Sequence, residues 1–301
     1  MRVIPPLAIT DAIMTSSSVA EPDAGETAWV SGTTYAVNDV RIRTQTHRKY
    51  QRLTAGAGTT PPENDAVNWL DIGPTNRWAM FDLLRNTGTS DASPIEVVVT
   101  PGERVDALAL VGLDADSAEI EVAVSGSSVY TETVDLRSRE VFDWYGHFFE
   151  PFSTRSAVAL FDLPPYSTGV ITITITKASG DASCGGLVIG RSVYLGETLH
   201  GAEADALNFS KVERDEFGAA TLVQRRTVPK TIQTTRIEKA RSKAVLKLRD
   251  ELNAMPALWS GLDDQDSGYF EPLLILGIYK RFTLNMDQPE QALLSLELEE
   301  V

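Results

Sequence analysis

The sequence predicts a mainly β, multidomain protein, and three observations lead there. Short runs rich in Val, Ile and Thr recur through the middle of the chain, separated by Gly, Pro, Asp and Ser. One segment, residues 234–256, carries apolar side chains at helical spacing. At 301 residues, the chain is long enough for two or three folding units.

Composition narrows the partners. The formal net charge is −15, with 43% hydrophobic residues. Affinity for a nucleic-acid backbone comes from Lys and Arg neutralising phosphates, so this balance argues against nucleic acid and against an anionic membrane surface. A single cysteine, Cys184, rules out an internal disulfide and leaves zinc without a thiolate set. The opening run MRVIPPLAITDAIMTSSSVAE is broken by Pro5, Pro6, Thr10 and Asp11, so it reads as mature sequence with no signal peptide, made in the cytoplasm. No apolar stretch approaches the roughly 20 residues that cross a bilayer, so no membrane insertion is expected.

Residues 1–26 read as an extended N-terminal arm. Val3 and Ile4 precede a Pro pair, and a Ser/Thr-rich stretch follows. Too short for its own core, the arm is expected to be ordered by packing on the C-terminal part or on a neighbouring subunit. Residues 27–74 form a small module closed by the loop AGAGTTPPEND and by Trp69. Trp29, Val40, Ile42 and Trp69 are assigned to its core, and Tyr35 and Tyr50 to display.

Residues 75–201 read as a β-sandwich. IEVVVT (95–100), ALALVG (107–112), IEVAVS (120–125) and VITITIT (170–176) supply strands, with Ile171, Ile173 and Ile175 sharing one face of the last. CGGLVIG (184–190) is uniformly apolar and predicts a strand buried on both faces, bent at Gly185 and Gly186. Residues 202–301 read as an α+β assembly domain. It begins with a hairpin in 208–228 turning near Glu216, Phe217 and Gly218. One long amphipathic helix follows, with Ile237, Ala240, Ala244, Val245, Leu248 and Leu252 inward and Pro256 as its stop. Arg236, Lys239, Arg241, Lys243, Lys247 and Arg249 form a basic ridge, a solvated face or a contact for an acidic neighbour. PLLILGIYKRFTLNM and ALLSLELEEV complete the domain as strands.

Catalytic signals are weak. His47, His147 and His200 fall in different segments without metal-ligand spacing. No Gly-x-Ser-x-Gly elbow is present, and Cys184 sits in an apolar strand pattern. Asp114, Asp116, Asp143, Glu150, Asp263, Asp264 and Asp266 read as solvated loop charge, which places a glycoside hydrolase third among the functions. No catalytic residue, metal or cofactor is expected. VFDWYGHFFEPF (141–152) concentrates Phe142, Trp144, Tyr145, Phe148, Phe149 and Phe152. Trp144, Tyr145, Phe148 and Phe149 are read either as a second binding lip or as an interface on the next domain or subunit.

The stretch AWVSGTTYAVNDVRIRTQTHRKYQRLTAGAGTTPPENDAVNWLDIG resembles the small carbohydrate-binding module attached to bacterial chitinases. The matching places are Ala28-Trp29, Tyr35, Asn38-Asp39, Tyr50, Pro61 and Trp69. That resemblance implies a three-stranded chitin-binding-like module, with Tyr35, Tyr50, Trp29 and Trp69 as candidate carbohydrate-binding residues. A spacer role is the other reading. The opening 40 residues, NWLDIGPTNRWAMFDLL and GGLVIGRSVYLGETLHGAE resemble proteins encoded among the tail genes of long-tailed bacteriophages and prophages. This implies a module inserted after the arm and before a galactose-binding-like sandwich, or jelly roll. It implies a virion protein of the tail tip or baseplate, in a ring of copies, touching other tail proteins and host-surface glycan. The runner-up is a free secreted or surface-attached glycan-binding protein.

Overall fold

The computed structural model describes residues 1–138, 143–149, 153–214, 216–286 and 288–301. The chain is mainly β, with 47% strand and 10% helix, arranged in several sheets. Alternation dictates the first of them. In Val170–Thr176, Ile171, Ile173 and Ile175 point inward and the threonines outward, as expected. This strand pairs antiparallel with Ser117–Val124 and Ile95–Val99, placing Ile173 opposite both Ile120 and Val97. Ser127–Asp135 and Met14–Ser17 close the two edges of the resulting five-stranded sheet.

A three-stranded sheet of Ala157–Leu160, Ala107–Val111 and Gly186–Gly190 faces it. Leu108, Leu110, Leu187 and Ile189 project into a core shared with Ile95, Val97, Ile120 and Ile173. Trp78 and Met80, from the 3-10 helix Asn76–Phe81, complete this core. The opposite side chains, Ala107, Ala109, Val111, Ala159 and Val188, enter a second core with Ile4, Leu258, Leu274 and Leu276. These strands are therefore buried on both faces, which explains their unbroken apolar sequence.

The second core belongs to an eight-stranded sheet. Its order is Val193–Tyr194, Arg2–Ile4, Ala257–Ser260, Leu274–Asn285, Gln291–Glu300 and Thr227–Glu238, with Glu197–Thr198 and Glu203–Asn208 both pairing the last. On its far side a third core gathers Trp259, Ile275, Leu294 and Leu296 under Val245, Leu248 and Leu252. The latter three lie on the helix Ser242–Glu251 and its C-cap.

The first 26 residues are ordered by packing within their own chain, on the C-terminal part, which is one of the two expected placements. Arg2–Ile4 lies between two strands of the eight-stranded sheet, and the Met1 amine donates to the Gly196 carbonyl at 2.7 Å. The chain then crosses the three-stranded sheet, where Leu7 N–H donates to the Ile189 carbonyl, and returns as the edge strand Met14–Ser17. The segment is a strap, packed within its own chain. The expectation of one long helix is corrected. The helix spans ten residues after a 3-10 turn, Lys239–Arg241, and Ile237 belongs to the 12-residue strand Thr227–Glu238. There Thr231, Gln233, Thr235 and Ile237 alternate inward, and the β-branched run favours the extended chain over helical spacing.

The hairpin appears where expected. Lys211–Arg214 pairs with Ala220–Val223, as an extension of the pairing between Glu203–Asn208 and Thr227–Ile232. A separate small unit holds the three-stranded sheet Val40–Arg43, Arg48–Arg52 and Trp69–Pro74, and the pair Thr34–Tyr35 with Gly56–Ala57.

The strap passes so close to the three-stranded sheet that a Cβ at Gly190 would lie 2.2 Å from the Pro5 carbonyl oxygen. Gly190→Ala must displace the strap, and chemical denaturation should show a loss of roughly 1–3 kcal/mol. Cys184 offers a second check. Complete burial pushes its thiol up to about 12. Native protein at mildly alkaline pH should leave Ellman's reagent unreacted, and denaturant should release one thiol per chain.

Candidate interaction surfaces

The small unit has few aliphatic side chains to bury, so its aromatic rings make the core. Tyr35 and Tyr50, expected on display, are 1% and 5% exposed. They cluster with Trp69, and Trp29 packs half-buried against them. The Tyr35 ring meets Trp69 edge-on at 5.1 Å. Its hydroxyl accepts from the Val30 N–H at 2.8 Å and donates to the Val30 carbonyl at 2.7 Å. The Tyr50 hydroxyl lies 3.3 Å from Thr46 Oγ1. Val40, assigned to the core, is instead exposed at the sheet margin, while Ile42 is buried.

The ring faces are covered as well. Arg41 lies over Tyr35 at 5.2 Å, Arg43 over Trp29 at 4.9 Å and Arg52 over Trp69 at 5.0 Å. A guanidinium over an aromatic face takes the position a pyranose would need for stacking. These cations are anchored. Glu63 grips Arg43 through two nitrogens at 2.9–3.2 Å. Burial works to raise the Glu63 carboxyl, but the hydrogen bonds from Arg43 and from its own backbone outweigh it and hold the group below the usual carboxylate range. Arg52 is buried and donates to the carbonyls of Thr54 and Gly56. Glu63 and Arg52 escaped the sequence reading. The alternation Arg41-Ile42-Arg43 beside a buried Ile was the available signal for two cations on one side of a strand.

Aromatic surface is displayed elsewhere. Trp144, Tyr145, Phe148 and Phe149 lie on the short helix Trp144–Phe149 and are 67–80% exposed. Their i, i+4 pairs touch, Trp144 with Phe148 at 6.4 Å and Tyr145 with Phe149 at 5.0 Å. Phe142, Glu150 and Phe152 lie outside the described residues. On the hairpin, Lys211–Arg214 and Ala220–Val223 are exposed along their whole length, and Phe217 at the turn is 95% exposed.

The basic ridge is partly neutralised. Arg236, moved into a strand, pairs with Glu197 at 2.6 Å, while Lys247 pairs with Glu251 and Arg249 with Asp250. Where the small unit meets the rest of the chain, the contacts are mostly polar. Glu26 receives Lys49 at 3.5 Å and the Asn76 N–H at 2.9 Å, and His47 stacks on Trp78 at 4.2 Å. A cleft of about 330 Å³ opens beside this stack.

Among the described residues, no group of three or more His, Cys, Asp or Glu converges as a metal site. No described helix is long and apolar enough to cross a membrane. No family model and no curated protein matches the chain.

Burial of Tyr35 reverses the effect expected of a displayed ring. Tyr35→Ala should cost roughly 3–5 kcal/mol, as for other large core aromatics. Tyr35→Phe, which removes only the bonds to Val30, should cost roughly 1 kcal/mol. Thermal melts of the two variants check the ranking.

Proposed function

We propose that this chain is a structural, non-catalytic subunit of a bacteriophage or prophage tail tip, resident in the virion and built to be covered by neighbouring tail proteins or copies of itself. The hairpin carries the reading. A two-stranded hairpin is marginal in water unless a further surface buries one face. Here Val212 sits directly opposite Leu222, both exposed, with Phe217 at the turn. Apolar surface concentrated on such a projection marks an interaction site. The aromatic helix Trp144–Phe149 adds a second such surface.

In this reading residues 75–201 form a galactose-binding-like sandwich and residues 202–301 an assembly domain. Residues 27–74 keep a chitin-binding-like architecture as a spacer. Contact with host glycan, where made, does not use the ring faces of Tyr35, Trp29 and Trp69, which arginines occupy.

Two measurements test the proposal. Mass spectrometry of gradient-purified particles induced from the encoding strain should find the chain. A variant with Val212, Phe217 and Leu222 replaced by Ser should melt as the parent does yet be missing from particles. Particles without the chain, or equal incorporation of the variant, would overturn the reading.

A further inference from the structure

We propose that His47 is a proton-operated latch that fixes the small aromatic unit against the rest of the chain. His47 ends the turn between Val40–Arg43 and Arg48–Arg52 and holds φ at 53°, a sparsely populated region for a non-glycine residue. Its position is over-determined. The imidazole is stacked on Trp78 with 24° between planes, and its backbone carbonyl accepts from the Thr75 N–H at 2.9 Å. Nδ1 lies 2.9 Å from Glu21 Oε2, and Nε2 lies 3.0 Å from Asp11 Oδ2.

Both partners are carboxylates, which only accept hydrogen bonds when ionised. An imidazole presents two N–H donors as imidazolium and a single one when neutral. Making both contacts at once therefore requires the charged ring. The two carboxylates differ in how firmly they are held. The Glu21 side chain is 5% exposed and also accepts from Thr75 Oγ1 at 2.7 Å and Trp78 Nε1 at 3.2 Å. The Asp11 side chain is 75% exposed. A neutral ring keeps its one N–H on Glu21 and turns a lone pair toward Asp11, so acceptor faces acceptor and the Asp11 contact opens.

The other charged groups at the junction are Arg48, paired with Asp71 at 2.7 Å, Lys49, paired with Glu26, and Asp82 across the cleft. Loss of the His47 proton removes one of the ties across a mostly polar junction. The small unit then gains freedom about its connections near residues 25 and 74.

The test is a distance measurement on the full chain. Spin labels on Val67→Cys in the small unit and Val129→Cys on the five-stranded sheet sit at exposed positions, while buried Cys184 stays unlabelled. Double electron–electron resonance should give one narrow distance at about pH 6 and a broader distribution at about pH 8.5. His47→Gln should be broad at both. Asp11→Asn should be narrow at both, because its amide accepts from the imidazolium and donates to the neutral ring. Distributions that do not change with pH, or a pH response that survives in His47→Gln, would overturn the latch.

Discussion

The layers of this protein hold together because Ala107–Val111 and Gly186–Gly190 are apolar on both faces. Their large side chains serve one core and their small ones the other. Leu108, Leu110, Leu187 and Ile189 fill the wide space toward the five-stranded sheet. Ala107, Ala109 and Gly190 let the strap and the eight-stranded sheet come close. Each large aliphatic buried contributes on the order of 1.5–3 kcal/mol. Five-stranded sheet, three-stranded sheet, eight-stranded sheet and helix therefore depend on one another through a middle layer with no solvent face.

The small unit obeys different physics. It contributes little aliphatic area, so rings pack on rings and arginine stems and guanidinium faces complete the enclosure. Each cation is tied in turn to an acceptor, which couples the charge pattern of its strands to the integrity of the core. A unit held in this way retains its outline with its aromatic faces occupied. Its attachment to the rest of the chain is polar too, so the unit and the layered sheets are joined by chemistry that responds to solvent conditions more readily than either interior does.

Much of the layered region was legible in the sequence, because burial there is written locally. The alternation of Val170–Thr176 and the unbroken apolar run of Gly186–Gly190 each report one environment along one strand. The hairpin turn was legible for the same reason, since Gly218 and its neighbours act within a few residues. What escaped was set by partners distant in the chain. Ile237 and Ala240 satisfy helical spacing, and only pairing with Gln291–Glu300 makes the first of them part of a strand. Tyr35 looked available for display because nothing near it in sequence announces the Trp69 edge or the Arg41 cover. His47 carried no signal beyond its lack of metal-ligand spacing, and its partners Asp11, Glu21 and Trp78 come from three separate places. The aromatic concentration at 144–149 was legible as composition and its exposure was not.

The position of Arg2–Ile4 has a consequence for how the chain reaches this state. Arg2–Ile4 occupies an interior place in the eight-stranded sheet, beside Ala257–Ser260, which is synthesised long after it. Until that partner emerges, Val3 and Ile4 have no second neighbour, and the first segment must wait with apolar side chains uncovered. Contacts of such long separation slow folding and leave intermediates prone to association. The sheets built mostly from the intervening residues can assemble before that partner emerges, so the seam between Arg2–Ile4 and Ala257–Ser260 closes late. Chaperone demand should accordingly fall on the waiting N-terminal strand and not on the sheets that form around it.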